Sequence, residues 1–119
     1  KHNTMDLFEH YETLPKEVQA ILDKYCDGNN SYEKCATMVA ELETVGYTCE
    51  YGLDAEPYEL RKVSKFDNWS REMVERVFNA ILDEMPFVEA EDLKKEVRTH
   101  DERIRYFIKE EKRFENYFL

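Results

Sequence analysis

The stretch Gly46–Val63, GYTCEYGLDAEPYELRKV, constrains this chain most, because it reads as two short strands joined by a turn. Tyr47, Cys49 and Tyr51 alternate with Thr48, Glu50 and Gly52, the period-two pattern of a strand with one buried face. Leu53–Pro57 carries no alternation, and Pro57 has no amide proton for a ladder, so the chain is predicted to turn there. Tyr58 and Leu60 resume the alternation on the way back. A lone hairpin is marginal in water, so its aromatic face requires cover from the helical segments on either side.

Those segments are legible from apolar periodicity. Asp6–Tyr11 reads as a short helical turn presenting Leu7, Phe8 and Tyr11. Pro15 suits a first helical turn, with Thr13 or Leu14 as its cap, and Val18, Ile21, Leu22 and Tyr25 supply the buried stripe. Asp27-Gly28-Asn29-Asn30 stops that helix. Ser31 caps the next, which places Tyr32, Cys35, Val39 and Leu42 on one face with Met38 beside them, and Gly46 closes it. Residues 5–63 thus form a helix–helix–hairpin unit.

After a polar connector, Ser64–Asn68, Trp69 opens a periodic helix carrying Met73, Val74, Val77, Phe78, Ile81, Leu82 and Met85. Pro86 disfavours helix at Met85 and bends the chain, with Phe87 and Val88 expected to be buried in the bend. From about Glu89 the pattern is helical to the end, with Leu93, Val97, Ile104, Phe107, Ile108, Phe114 and Phe118 on an approximate seven-residue repeat. Whether this is one helix or two broken near Thr99 stays open. Residues 67–119 then form a long helical hairpin. The expected fold is one mostly helical α+β domain, in which two helices pack on a two-stranded antiparallel hairpin and the helical hairpin follows.

Composition bounds what such a domain does. Its 119 residues, 42% hydrophobic, suffice for a core without staples. With 27 acids against 17 Lys and Arg, the net charge is −10, which repels nucleic acid and anionic membranes and attracts basic partners. Residues 9–59 hold 12 of the acids against Lys16, Lys24 and Lys34 alone, so the first half is the more anionic. Three cysteines without CxxC spacing, Cys26, Cys35 and Cys49, read as reduced thiols of a cytoplasmic protein. There is no signal-peptide pattern and no apolar run of membrane length. Lys1–Thr4 is set aside as a frayed start or an appended remnant.

The run SYEKCATMVAELETVGYTCEYGLDAEPYELRKV, residues 31–63, resembles a segment of small uncharacterised acidic proteins carried on mobile elements of gut anaerobes. With Leu7–Tyr25 the likeness covers about the first half of the chain. It implies a genetic setting and carries over no catalytic residue.

Candidate chemistry is weighed against structural roles. Asp92, Glu96 and His100, spaced i, i+4, i+8, would share a face of one helix, but a di-metal bundle needs Glu-x-x-His on two helices. A helix break at His100, or a half-buried imidazole, is preferred, and no metal or other cofactor is expected. No nucleophile elbow accompanies the thiols, which read as core, with Cys26, at the more polar end of its helix, the one candidate for reactivity. Glu50 and Glu59 would repel if they faced each other across the hairpin, so an offset register is preferred. Lys94, Arg98, Arg105, Lys109 and Lys112 lie near one stripe of the last helix, interrupted by acids, and read as a solvated face without direct nucleic-acid binding.

Surface recognition remains. Glu9, Glu12, Glu17, Asp23, Asp27, Glu33, Glu41 and Glu43 form a candidate carboxylate array that would imitate nucleic-acid phosphates. Phe114, Tyr117, Phe118 and Leu119 form a candidate aromatic interface, either packed on Trp69 or Phe87 or pairing the last helix into a homodimer. Tyr51, Asp54, Glu56 and Tyr58 around the hairpin turn form a second patch. The expected function is therefore non-catalytic protein binding by an accessory protein of a mobile element, in its sharper form acidic inhibition of a host defence nuclease. A small enzyme with a Cys/His or carboxylate site formed only in the fold, and a structural homodimer, stay open as alternatives.

Overall fold

The computed structural model describes residues 10–119; Leu7, Phe8 and Glu9, named above, lie outside the described residues. The fold is mostly helical α+β with one two-stranded antiparallel hairpin. The chain divides into two compact units, with the boundary between Val63 and Ser64.

In the first unit a single 3-10 turn, Tyr11–Thr13, leads into α1, Lys16–Tyr25. Pro15 itself occupies the cap position, so neither Thr13 nor Leu14 caps the helix. The Thr13 hydroxyl instead donates to the His10 carbonyl at 2.7 Å. The Gln19 amide reaches back to the Tyr11 and Leu14 carbonyls at 3.0 and 2.9 Å, which satisfies acceptors the entry would otherwise leave open. The expected stripe is present, with Val18 and Leu22 fully buried. α2, Tyr32–Thr44, starts at Ser31, whose hydroxyl accepts from the Lys34 amide at 3.1 Å. It stops where Gly46 takes a φ of +83°, a conformation that costs a side chain bearing Cβ.

The strands are β1, Tyr47–Tyr51, and β2, Pro57–Lys62. Pro57 is the first residue of β2, opposite Tyr51, a position that a residue lacking an amide proton can hold. The register pairs Tyr47 with Lys62, Thr48 with Arg61 and Glu50 with Tyr58, and an irregularity falls between Thr48 and Glu50. Cys49 therefore faces two residues, Glu59 and Leu60, and Glu59 sits at a φ of 55°, the geometry of a bulge that usually takes glycine. Glu50 and Glu59 do not face each other. Val18 and Leu22 of α1, Met38 and Leu42 of α2 and Cys49 of β1 make one core. Fully burying each large aliphatic side chain contributes about 1.5–3 kcal/mol.

The second unit opens on a capped 3-10 turn, Lys65–Asn68, in which the Asp67 carboxylate accepts from the Ser64 amide at 2.7 Å. α3, Arg71–Glu84, begins after Ser70 and not at Trp69, because the Ser70 hydroxyl accepts from the Met73 amide. Met85 is extended before Pro86, as expected, and α4, Phe87–Glu96, follows. Phe87 and Val88 are not buried: they are 76% and 71% exposed. Ala90 and Leu93 set the inward face of α4; Val88 points away from it, and Phe87, one turn before Ala90, borders a surface cleft with Leu82, Met85 and Ala90.

The helical run after Glu89 is two helices, broken at Val97–Thr99. Thr99 caps α5, His100–Lys109, through the Glu102 amide at 3.1 Å, and the Glu102 carboxylate accepts from the Arg98 and Thr99 amides at 3.0 and 2.9 Å. This reciprocal box overrides the seven-residue repeat. Helix then ends at Lys109, and Phe114 and a 3-10 turn, Glu115–Tyr117, finish the chain, so a second long helix is not formed. The core is aromatic: Phe66 touches Trp69, Phe107 and Phe118 at ring distances of 5.1, 5.5 and 4.8 Å.

Candidate protein-binding surface

The best-built surface feature is the tip of the hairpin, held by one end of α2. Ser31 places Tyr32 in the first turn of α2 and Cys35 one turn on, so both side chains project along the same edge. The Tyr32 hydroxyl donates to the Leu53 carbonyl, and the Cys35 thiol donates to the Ala55 carbonyl at 3.2 Å. Within the turn the Gly52 amide meets the Glu56 carbonyl and the Ala55 amide meets the Gly52 carbonyl, both at 3.0 Å. Ala55 is buried at a φ of 56°, so the loop is fixed from beneath at the cost of local backbone strain.

This anchoring leaves Leu53 95% exposed beside the half-exposed ring of Tyr32. The Tyr32 and Tyr51 rings lie 6.1 Å apart, tilted. Tyr32 was expected on the buried face of its helix, yet it is 53% exposed, with its hydroxyl on the Leu53 carbonyl and its ring beside Tyr51. Asp54 is exposed and Glu56 half-buried. Tyr58 lies with its ring beside Gly52 at the base of the turn, on the opposite face from Tyr51. It pairs with Glu50 and therefore shares the Glu50 face, whereas Tyr51, one residue on, points to the other face.

Of the candidate acids in the described residues, Glu12, Glu17, Asp23, Asp27, Glu33 and Glu43 are exposed and Glu41 is half-buried. Three of them are engaged. Asp23 accepts from the Tyr11 hydroxyl at 2.7 Å, Asp27 pairs with Lys34, and Glu41 accepts from Tyr25 and Lys24. The Lys34 ammonium, followed by the Asn29 amide, holds the Asp27 carboxyl below its usual value. Glu12, Glu17, Glu33 and Glu43 are exposed and have no ion-pair partner among the described residues.

The other candidates fall differently. Phe114 and Phe118 are 8% and 2% exposed and belong to the core of the second unit, which removes them from any free interface. Phe118 packs on Trp69 at 6.2 Å, and Tyr117 is half-buried beside Phe114. Leu119 alone is fully presented. Ile104 and Phe107, on the seam proposed for a dimer, are covered within the unit by the same aromatic cluster. The basic stripe is interrupted, since Lys94 lies on α4, Arg98 in the linker and Arg105 and Lys109 on α5. The same break takes His100 off the helix that carries Asp92 and Glu96, and no group of three metal-ligating side chains gathers among the described residues.

All three cysteines are free. Burial pushes the Cys26 thiol up to about 11 and the Cys49 thiol up to about 12, and raises Cys35 as well. Thiols in this state stay protonated near neutrality and are weak nucleophiles. Comparison adds no relative: no family model, curated protein or solved structure matches the chain.

Proposed function

We propose that this protein is a non-catalytic binding protein that engages a basic partner through the hairpin tip and the acidic helices beside it. The observation that carries this reading is Leu53, almost wholly exposed on a turn whose backbone two side chains of α2 hold in place. A fixed apolar residue beside two aromatic rings loses little conformational freedom on binding. Four carboxylates on the same unit without an ion-pair partner among the described residues supply long-range attraction to a positive surface. In the mobile-element setting that the resemblance implies, the partner is a host defence nuclease, whose phosphate-binding groove the carboxylates occupy. The role is cytoplasmic and involves no membrane or direct nucleic-acid contact.

The test is capture from host lysate by the full chain at low and high salt, followed by nuclease assay of the captured protein. The expected partner is a basic nucleic-acid-cleaving enzyme that the protein inhibits, with capture falling steeply as salt rises. Leu53→Asp should abolish capture, and a variant with Glu12, Glu17, Glu33 and Glu43 changed to Gln should weaken it mainly at low salt. Capture indifferent to both variants would overturn the reading.

A further inference from the structure

The second unit carries a feature of opposite sign to the chain as a whole. Phe78 of α3 meets Tyr106 of α5 at 6.1 Å, and one turn earlier Glu75 approaches Arg103, so α3 and α5 run parallel. Their N-terminal ends consequently border the same cleft, of about 430 Å³. Arg71 enters it from the first turn of α3, Arg98 from the α4–α5 linker, and His100 and Arg103 from α5.

The arginines there are poorly matched by the protein itself. Neither Arg71 nor Arg98 has an ion pair or side-chain hydrogen bond among the described residues. Two carboxylates line the cleft, Glu72 and Glu75, and only Glu75 comes within reach of a guanidinium, at 3.9 Å from Arg103. Arg103 lies over the Phe78 ring at 4.8 Å, which fixes its plane. Its Nε is buried without a hydrogen-bond partner. Among the described residues Arg71 and Arg98 keep their forked donors free and Arg103 keeps donors beyond the one that approaches Glu75, and guanidiniums of this kind suit the oxygens of a tetrahedral oxyanion. The positive end of the α3 dipole adds to the same field, whereas that of α5 is already met by the Glu102 carboxylate.

We propose that this cleft binds the phosphate group of a phosphate monoester, with Arg71, Arg98 and Arg103 as its ligands. The phosphate takes the charge of Arg71 and Arg98, and Arg103 is held in place to receive it. The volume leaves room for the small organic group that bears the phosphate. Glu72 and Glu75 keep the affinity moderate, in roughly the millimolar range, and disfavour polyanions whose further charges would meet the acidic remainder of the surface.

The experiment is a titration of the full chain followed by two-dimensional amide and arginine side-chain NMR, with inorganic phosphate and phenyl phosphate as probes and chloride at matched ionic strength as reference. Saturable shifts at the Arg103 side-chain N–H and at the Arg98 and His100 amides are expected, larger than with chloride, and phenyl phosphate should bind at least as tightly as phosphate. Arg98→Gln should weaken binding about tenfold, the loss of one charge-assisted hydrogen bond. Arg71→Gln should do the same, which keeps the test open if either variant folds poorly. Lys112→Gln, outside the cleft, should change nothing. Shifts that do not exceed those with chloride, or equal weakening by Lys112→Gln, would overturn the proposal.

Discussion

Replacing Phe118 by Ala and, separately, its neighbour Leu119 by Ala distinguishes a packed chain end from a presented one. Phe118 is 2% exposed and has three aromatic neighbours, Phe66 at 4.8 Å, Phe107 at 5.1 Å and Trp69 at 6.2 Å. Its carbonyl also accepts from the Lys65 ammonium at 3.1 Å. Truncating a core Phe to Ala costs about 3–5 kcal/mol, and a position next to the chain end relaxes more easily than mid-core, so about 3 kcal/mol is expected. Leu119 is 97% exposed, and its truncation should stay within about 0.5 kcal/mol of wild type. With a urea m-value of about 1.5 kcal/mol/M, the first change lowers the unfolding midpoint by roughly 2 M and the second leaves it in place. Trp69 is the only tryptophan and lies in the same ring cluster, so its fluorescence reports the transition directly. Midpoints for the two variants that agree would refute the packing argument, as would a change of sedimentation coefficient with Phe118→Ala alone.

Two further perturbations test other parts of the structure. Glu59→Gly should raise stability by about 0.5–1 kcal/mol, because a left-handed φ at an exposed bulge costs a Cβ-bearing residue more than glycine loses in chain entropy; a lowered urea midpoint would show that Glu59 is not strained. The Cys49 thiol, pushed up to about 12 by burial, keeps its proton in the folded chain at pH values where the unfolded chain has lost it. Native protein then binds more protons than unfolded protein above about pH 8.5, so this group lowers stability as pH rises, by about 1 kcal/mol per pH unit until its folded value is passed. Cys49→Ala should flatten that alkaline decline relative to wild type in urea melts from pH 8 to about pH 10.5, and parallel pH profiles would count against it.

The parts of the fold that the sequence determined are those decided within a few residues of themselves. The period-two run at Tyr47–Tyr51, the Ser31 cap, the Gly46 stop and the bend at Pro86 each depend on local dihedrals and near-neighbour hydrogen bonds, and each is where its residues put it. The break at Thr99 was written locally too, in Thr99-x-x-Glu102, but the apolar repeat running through it obscured the signal. What only tertiary structure decided is which apolar side chains find cover. Phe118 and Phe87 are equally hydrophobic, yet one sits among three rings and the other stands in solvent, because the route of the backbone brings the core to one and carries the other past it. The same holds for charge. Arg71, Arg98 and Arg103 share a cleft because α4 returns the chain so that α5 runs parallel to α3, and Tyr51 and Tyr58 part company because a bulge sets the register of their strands. Periodicity specifies which face of an element is apolar, and only the packing of distant elements specifies what meets it.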